Sequence, residues 1–423
     1  MLALRSRSLR ALLFVGALSF ISTAQAQGEV WRVDDDPGPD VDFNDLQPAI
    51  DAAVSGDLIH VADGVYTAFT IDGKALTLVA DAGASALVFP DPAQYDCTVR
   101  NIAAGAQVTI RGLDLDRAAT MDGPSLVIED CAGVVWIEDF EVLPFFALPF
   151  GSSTTQARTV EVRTSQRVVL SDFAVTGMPG APQGFGFEFG STPLDIEDST
   201  VHLYDGAILA AGTLVEGSFG PVGVDVANSL LVLRGTTVVG GAGGMEGIFG
   251  SPGPGTGGPG VQATGGSTVY SIGSVVLGGP GGSGVFGEPD LGSAGPPFAG
   301  ETIVEHAASN VGLASSPTSP AGDLTTLTVS AEPGSIAVLA AAVFADPVFL
   351  DIFPDTSVVG LTPIYFPLGV VDATGELSLD LPTPPIPSIW GHFGYPLQAF
   401  AVTPSTDLEF SNPTFVSTLN PPE

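Results

Sequence analysis

Six short segments of this chain share one pattern: two alternating apolar positions, a turn residue, then two more apolar positions. They run from Val108, Val135, Val168, Val201, Leu231 and, more loosely, Val269. The third reads Val168-Val-Leu170-Ser-Asp172-Phe173-Ala-Val175, and the others align with it residue for residue through the Gly or Asp at its centre. The first residues recur at intervals of 27, 33, 33, 30 and 38. Repeats of that size, made of strands with an irregular return path, specify a solenoid. Period-2 alternation points one side of each strand inward, and the Gly or Asp marks a sharp bend between two short strands. The fold class that follows is all-β: a right-handed parallel β-helix.

The N-terminus reads as an export signal. Arg5, Arg7 and Arg10 precede an apolar stretch over Ala11–Ile21, and Ala24-Gln25-Ala26 forms a small-residue cleavage site. The expected location is therefore secreted or cell-surface. No other segment reaches the 18 apolar residues of a membrane-spanning helix. The formal net charge is −35 from 12 basic and 47 acidic residues, and removal of the three leader arginines takes it to −38. Such a surface repels nucleic acid and anionic lipid and disfavours polyanionic glycans. Cys97 and Cys131 are the only cysteines. Repeat alignment sets them several residues apart along the coil, which favours two buried thiols over a bridge.

Trp31 to Val79 begins with a strand and an acidic turn (Asp34-Asp35-Asp36-Pro37). Asn44 or Asp45 then caps a helix whose Leu46, Ile50, Ala53 and Val54 share one face. A helix there covers the open end of a solenoid core. With the glycine-rich returns Gly240-Gly-Ala-Gly-Gly244 and Gly278-Gly-Pro-Gly-Gly282, this run resembles the N-terminal cap and coils of pectate-lyase-like β-helix proteins exported by planctomycete-type bacteria. By composition the glycines read as flexible turn material. Residues 311–322 read as a linker, and the short strands beyond it, spaced near ten residues, predict a small β-sandwich. The expected organisation is signal 1–26, capped β-helix 27–310, linker 311–322 and β-sandwich 323–423.

The main candidate site is a carboxylate column. Asp139, Asp172 and Asp205 hold the same turn position in three consecutive coils, spaced by 33 and 33 residues. Coil stacking puts neighbours about 4.8 Å apart, where like charges repel unless solvated or bridged by a cation such as calcium. The plainer reading is a solvated turn at which Asp is a good turn former. A lyase needs calcium or a basic residue to neutralise the substrate carboxylate and an Arg or Lys as base, yet no Lys or Arg follows Arg234, and none of the four histidines lies in the Gly-His-Gly element of polygalacturonase-like hydrolases. His60 and His202 alternate with apolar residues and are expected on the surface. Trp136, Tyr204 and Tyr270 fall between inward positions and are candidates, with Trp390 and Tyr395, for a sugar-stacking surface.

The sequence thus points to an exported, non-catalytic β-helix with a structural or glycan-binding role and polysaccharide as the partner. The alternative is a carbohydrate-active enzyme, lyase or hydrolase, of the β-helix class. Asp139, Asp172 and Asp205 are the metal candidates.

Overall fold

The computed structural model describes residues 28–419 apart from 82, 91–95, 117–123, 144–157, 179–181, 184–185, 188–189, 214–215, 247–252, 285–291, 307–310, 316–317, 321–322, 343–344, 346, 351–354, 360–362 and 384–391. The proposed export signal and Trp390 lie outside the described residues. No helix among the described residues is long and apolar enough to cross a membrane.

Twenty-two strands join into one parallel array, a β-helix with three faces. One face passes from Val30–Val33 through Leu58–Val61, Thr77–Ala80 and Gln107–Arg111 to Val134–Leu143, Arg167–Thr176, Thr200–Tyr204, Leu230–Arg234, Val261–Ile272 and Phe298–His306. Its register stacks Val108, Val135, Val168, Val201, Leu231 and Val269 in one inward column, as the alternation predicts. All six are fully buried in a single core. In the next column Phe140 and Phe173 stack with ring centroids 5.7 Å apart. Gly206 continues that column because a Cβ there would lie 2.2 Å from the Phe173 ring.

Two bends separate the faces, and each repeats one backbone conformation. At the first, Gly112, Asp139, Asp172, Asp205, Gly235 and Gly273 all have φ between 48° and 74°. At the second, Asn101, Asp130, Thr164, Asp198 and Asn228 have φ between 48° and 58°. Asp, Asn and Gly tolerate this left-handed region better than other residues, so the recurrent turn Asp has a backbone cause. Just after the second bend runs a serine ladder. The amides of Cys131, Ser165, Ser199 and Ser229 donate to the hydroxyl one coil on, at Ser165, Ser199, Ser229 and Ser267. The Ser165, Ser199 and Ser229 hydroxyls donate to carbonyls two residues back. Cys131 ends this ladder; it and Cys97 are free and buried.

Helix α1 (Leu46–Ala52) is capped by Asp45 and closes the N-terminal end of the core with Leu46, Ala49 and Ile50. Ala53, just past it, is buried as well, whereas Val54 lies beyond the helix and is 64% exposed, so that part of the predicted face is corrected. Buried Asp57, which sequence reasoning passed over, accepts from the Glu29 amide, the Trp31 indole and the Val54 amide, pinning the first strand to the cap.

The glycine-rich returns are not loose turns. Segments around 218–221, 241–244, 255–258, 279–282 and 292–295 lie side by side. The amides of Gly241, Gly258, Gly279 and Gly295 each donate to the preceding segment, and those of Gly244, Gly255, Gly282 and Gly292 form a second row three residues away. A three-residue spacing is that of polyproline II. Most Cβ atoms added here would meet neighbouring backbone at 1.8–2.7 Å. Glycine is thus required by close packing.

Beyond the coils, Gly312–Ser315, Leu324–Ser330 and Glu376–Pro382 form a three-stranded sheet. Thr318–Pro320, Leu408–Leu419, His392–Val402, Ile336–Ala341 and Ile364–Val370 form a five-stranded one. The two share an apolar core that includes Leu327, Val329, Leu339, Leu397 and Val416. The expected linker is thereby corrected: its residues supply Gly312–Ser315 and Thr318–Pro320, paired into these sheets.

Candidate functional site

Outward positions on the longest face alternate with the core columns. One outward column contains Trp136, Val169, His202 and Val232; the next contains Arg111, Glu138, Ser171, Tyr204 and Arg234. Outward does not mean solvated here. Trp136, Val169, Tyr204 and Val134 pack with Phe415 of the five-stranded sheet and with Ala345 and Val358 of its connecting segments in a separate apolar cluster. Trp136 meets Phe415 edge-on at 5.9 Å. Polar contacts hold the same junction. Glu138 accepts from the Thr414 hydroxyl and the Phe415 amide, both at 3.1 Å. Arg111 and Arg234 donate to the carbonyls of Phe415 and Phe410, Gln107 accepts from the Ala345 amide, and His392 bonds to the Gly56 carbonyl.

These contacts correct two expectations. Trp136 and Tyr204 form no sugar-stacking surface in this state, because both are fully buried. His202 is not a surface imidazole; it is 1% exposed, and burial holds it down to about 4. Tyr270 is half-buried and stacks on His306, and Tyr395 packs inside the C-terminal core. His60 is half-buried and pairs with Asp81 at 2.9 Å.

At the edge of the junction a cleft of about 310 Å³ remains open. Arg111, Glu138, Ser171, Asp172 and Asp205 line it from the coils, and residues 313–315 and 412–414 from the other side. Ser171 is 3% exposed, and its hydroxyl has no partner among the described residues; the Arg111 Nε also lacks one there. Partial burial raises the Asp172 carboxyl, and the Asp139 charge adds to the effect against Arg111. Asp205 is raised by burial and by Asp172, against the opposing Arg234. Glu138 is raised by burial despite Arg111. Asp172 and Asp205 therefore come together in one cleft, whereas Asp139, although next to the lining residue Glu138, does not line it. No group of three or more His, Cys, Asp or Glu side chains converges as a metal cage among the described residues.

A second acidic array, unremarked in the sequence, crosses another face. Glu161, Asp195 and Asp225 are in register on successive coils. Arg158 reaches Asp195 at 3.0 Å and Glu161 at 3.4 Å, and Arg163 pairs with Glu161. Asp195 is pushed up to about 6, chiefly by burial, partly opposed by Arg158 and reinforced by Asp225 and Glu161. The sign follows. The folded state holds this proton up to about pH 6 and the unfolded chain only to 3.8, so ionising it destabilises the fold as pH rises through that window. Asp195→Asn should raise stability at pH 7 by up to about 3 kcal/mol and at pH 4 by less than about 1 kcal/mol. Thermal denaturation at both values checks this.

No family model matches the chain, and no curated protein matches it. Among solved structures, the enzymatically active domain of tailspike protein 2 of bacteriophage CBA120 is similar at a TM-score of 0.32 and 11% identity, covering 93% of this chain and 71% of that one. Full-length tailspike protein 2 from an Escherichia coli O157:H7 bacteriophage is similar at 0.29 and 11%, covering 93% and 64%. Likeness at this level carries no inference about activity.

Proposed function

We propose that this is an exported β-helix protein that holds a glycan without cleaving it, in the cleft between the coils and the C-terminal sheets. The observation that carries this reading is the polar lining of that cleft around a buried hydroxyl, Ser171, with no partner among the described residues. A buried polar group normally finds a partner, and a ligand rich in hydroxyls supplies both donors and acceptors. Asp172 and Asp205 accept from sugar hydroxyls, while Ser171, Asn412 and Thr414 offer neutral partners. A net charge of −35 selects against uronates and sulfated chains. Neutral saccharides are the class that fits.

The enzyme reading is favoured by one feature, two carboxyls raised together in one cleft, since perturbed pairs recur in acid–base sites. One experiment separates the readings. Full-length mature protein is applied to a neutral and acidic glycan array with and without calcium, then incubated with xylan, pectate, alginate and sulfated galactans. Binding to neutral glycans, weakened at least about tenfold (1.4 kcal/mol) by Asp172→Asn or Asp205→Asn, supports the proposal. Release of reducing ends that disappears in Asp172→Asn overturns the non-catalytic reading. A calcium-dependent rise in melting temperature, lost in Asp172→Ala, would add the bridging cation proposed for Asp139, Asp172 and Asp205.

A further inference from the structure

His202 is buried in the outward column whose Trp136 and Val169 pack against the C-terminal layer, where nothing in the fold of the coils requires an imidazole. Its column neighbours are Val169 and Val232, both fully buried. Neither ring nitrogen has a hydrogen-bond partner among the described residues. A neutral ring packs in such a place; an imidazolium there would be an unpaired buried charge, which proteins accept only at large cost. What buries this face is the C-terminal layer, through Ala345, Val358 and Phe415 packed on the same stripe.

We propose that His202 is an acid-sensitive release for the C-terminal sheets, which stay docked on the coils while the ring is neutral and separate from them once it is protonated. Separation would uncover Trp136, Val169 and Tyr204. Among the described residues, the charged groups that face this junction are Arg234 one coil from His202, Glu138 two coils and Arg111 three coils away, Asp172 and Asp205 at the bend, and His392 on the docked layer, held down by burial. The histidines and the carboxylates act with opposite signs. His202 lies near 4 when docked and near 6.5 when free, so docking weakens as pH falls below 6.5, and the loss is complete below 4. His392 has the same sign and a hydrogen bond to Gly56 that survives protonation. Glu138, Asp172 and Asp205 are raised, so they strengthen docking at more acidic pH. The release is therefore read between pH 7.5 and 5.

The Phe415 amide is a built-in reporter, because it donates across the junction to Glu138 while the residue opposite it in its own sheet is Pro396. Hydrogen exchange of this amide in the full mature chain, corrected for the intrinsic pH dependence of exchange, should lose up to about thirtyfold in protection from pH 7.5 to 5. In His202→Leu, whose side chain suits the apolar column, most of that dependence should vanish. Adding His392→Gln should remove the rest. Protection that is flat with pH in the natural protein, or unchanged in its slope by His202→Leu, overturns the proposal. If His202→Leu does not fold, labelled-histidine NMR of the natural protein decides: a His202 resonance that titrates near 6.5 without undocking overturns it, and one displaced well below 6.5 that moves together with Phe415 exchange supports it.

Discussion

Replacing Leu170 by aspartate should leave no cooperatively folded β-helix at room temperature. Leu170 is fully buried and stacked between Ile137 and Leu203 in the middle of the core. Removing its side chain from the core forfeits about 1.5–3 kcal/mol. Leaving an uncompensated carboxylate among Val, Ile and Leu adds several more. Together they approach the roughly 5–15 kcal/mol total stability of a typical domain. The damage is not local, because each coil of a solenoid is held by its two neighbours, and a charged rung interrupts the stack from both sides. The measurement is far-UV circular dichroism with thermal denaturation. Leu170→Met is the control, with a loss below about 1.5 kcal/mol. A Leu170→Asp protein melting within a few degrees of the natural one would refute the stacked-core account.

The second large effect is expected at Gly258. Its amide donates to Gly241 and its carbonyl accepts from Gly279, both at 2.8 Å, and an added Cβ would lie 2.0 Å from the Pro221 carbonyl oxygen and 2.5 Å from that of Gly220. Both obstacles are backbone, which cannot rotate aside. Gly258→Val should therefore cost about 3 kcal/mol or more and loosen the whole glycine lattice, read as faster hydrogen exchange at Gly279 and Gly295. Gly253 is the matched control. Its added Cβ would meet nothing within 4 Å, so Gly253→Ala should stay within about 0.5 kcal/mol. Equal effects at the two positions would return the glycines to the role of loose turns.

A reader of the chain finds the coils because the determinant is local and repeated. Val135-Trp-Ile137 and Val168-Val-Leu170 each state their own inward set, and a solenoid asks only that successive coils agree. The Asp of the bend is legible for the same reason, as a left-handed position that recurs at Asp139, Asp172 and Asp205. A further repeat stood in plain sight: Cys131, Ser165, Ser199, Ser229 and Ser267, each just after a bend, whose small buried polar side chains are the ladder.

Alternation by itself determined which side chains of each strand leave the core, and with that the parallel β-helix, the inward columns and the carboxylate bend. It could not determine what those outward side chains meet. Trp136, His202 and Tyr204 follow one period-2 rule whether the next layer is water or a sheet, and only the docking of Ala345, Val358 and Phe415 made them an interior. The cleft likewise joins Asp172 and Asp205 to Asn412 and Thr414, more than 200 residues away in the chain. The glycines follow the same logic, because composition measures their freedom while unfolded, whereas their role comes from backbone of other segments packed where a Cβ would stand. Local periodicity encodes the direction of a side chain, and tertiary contact alone decides its surroundings.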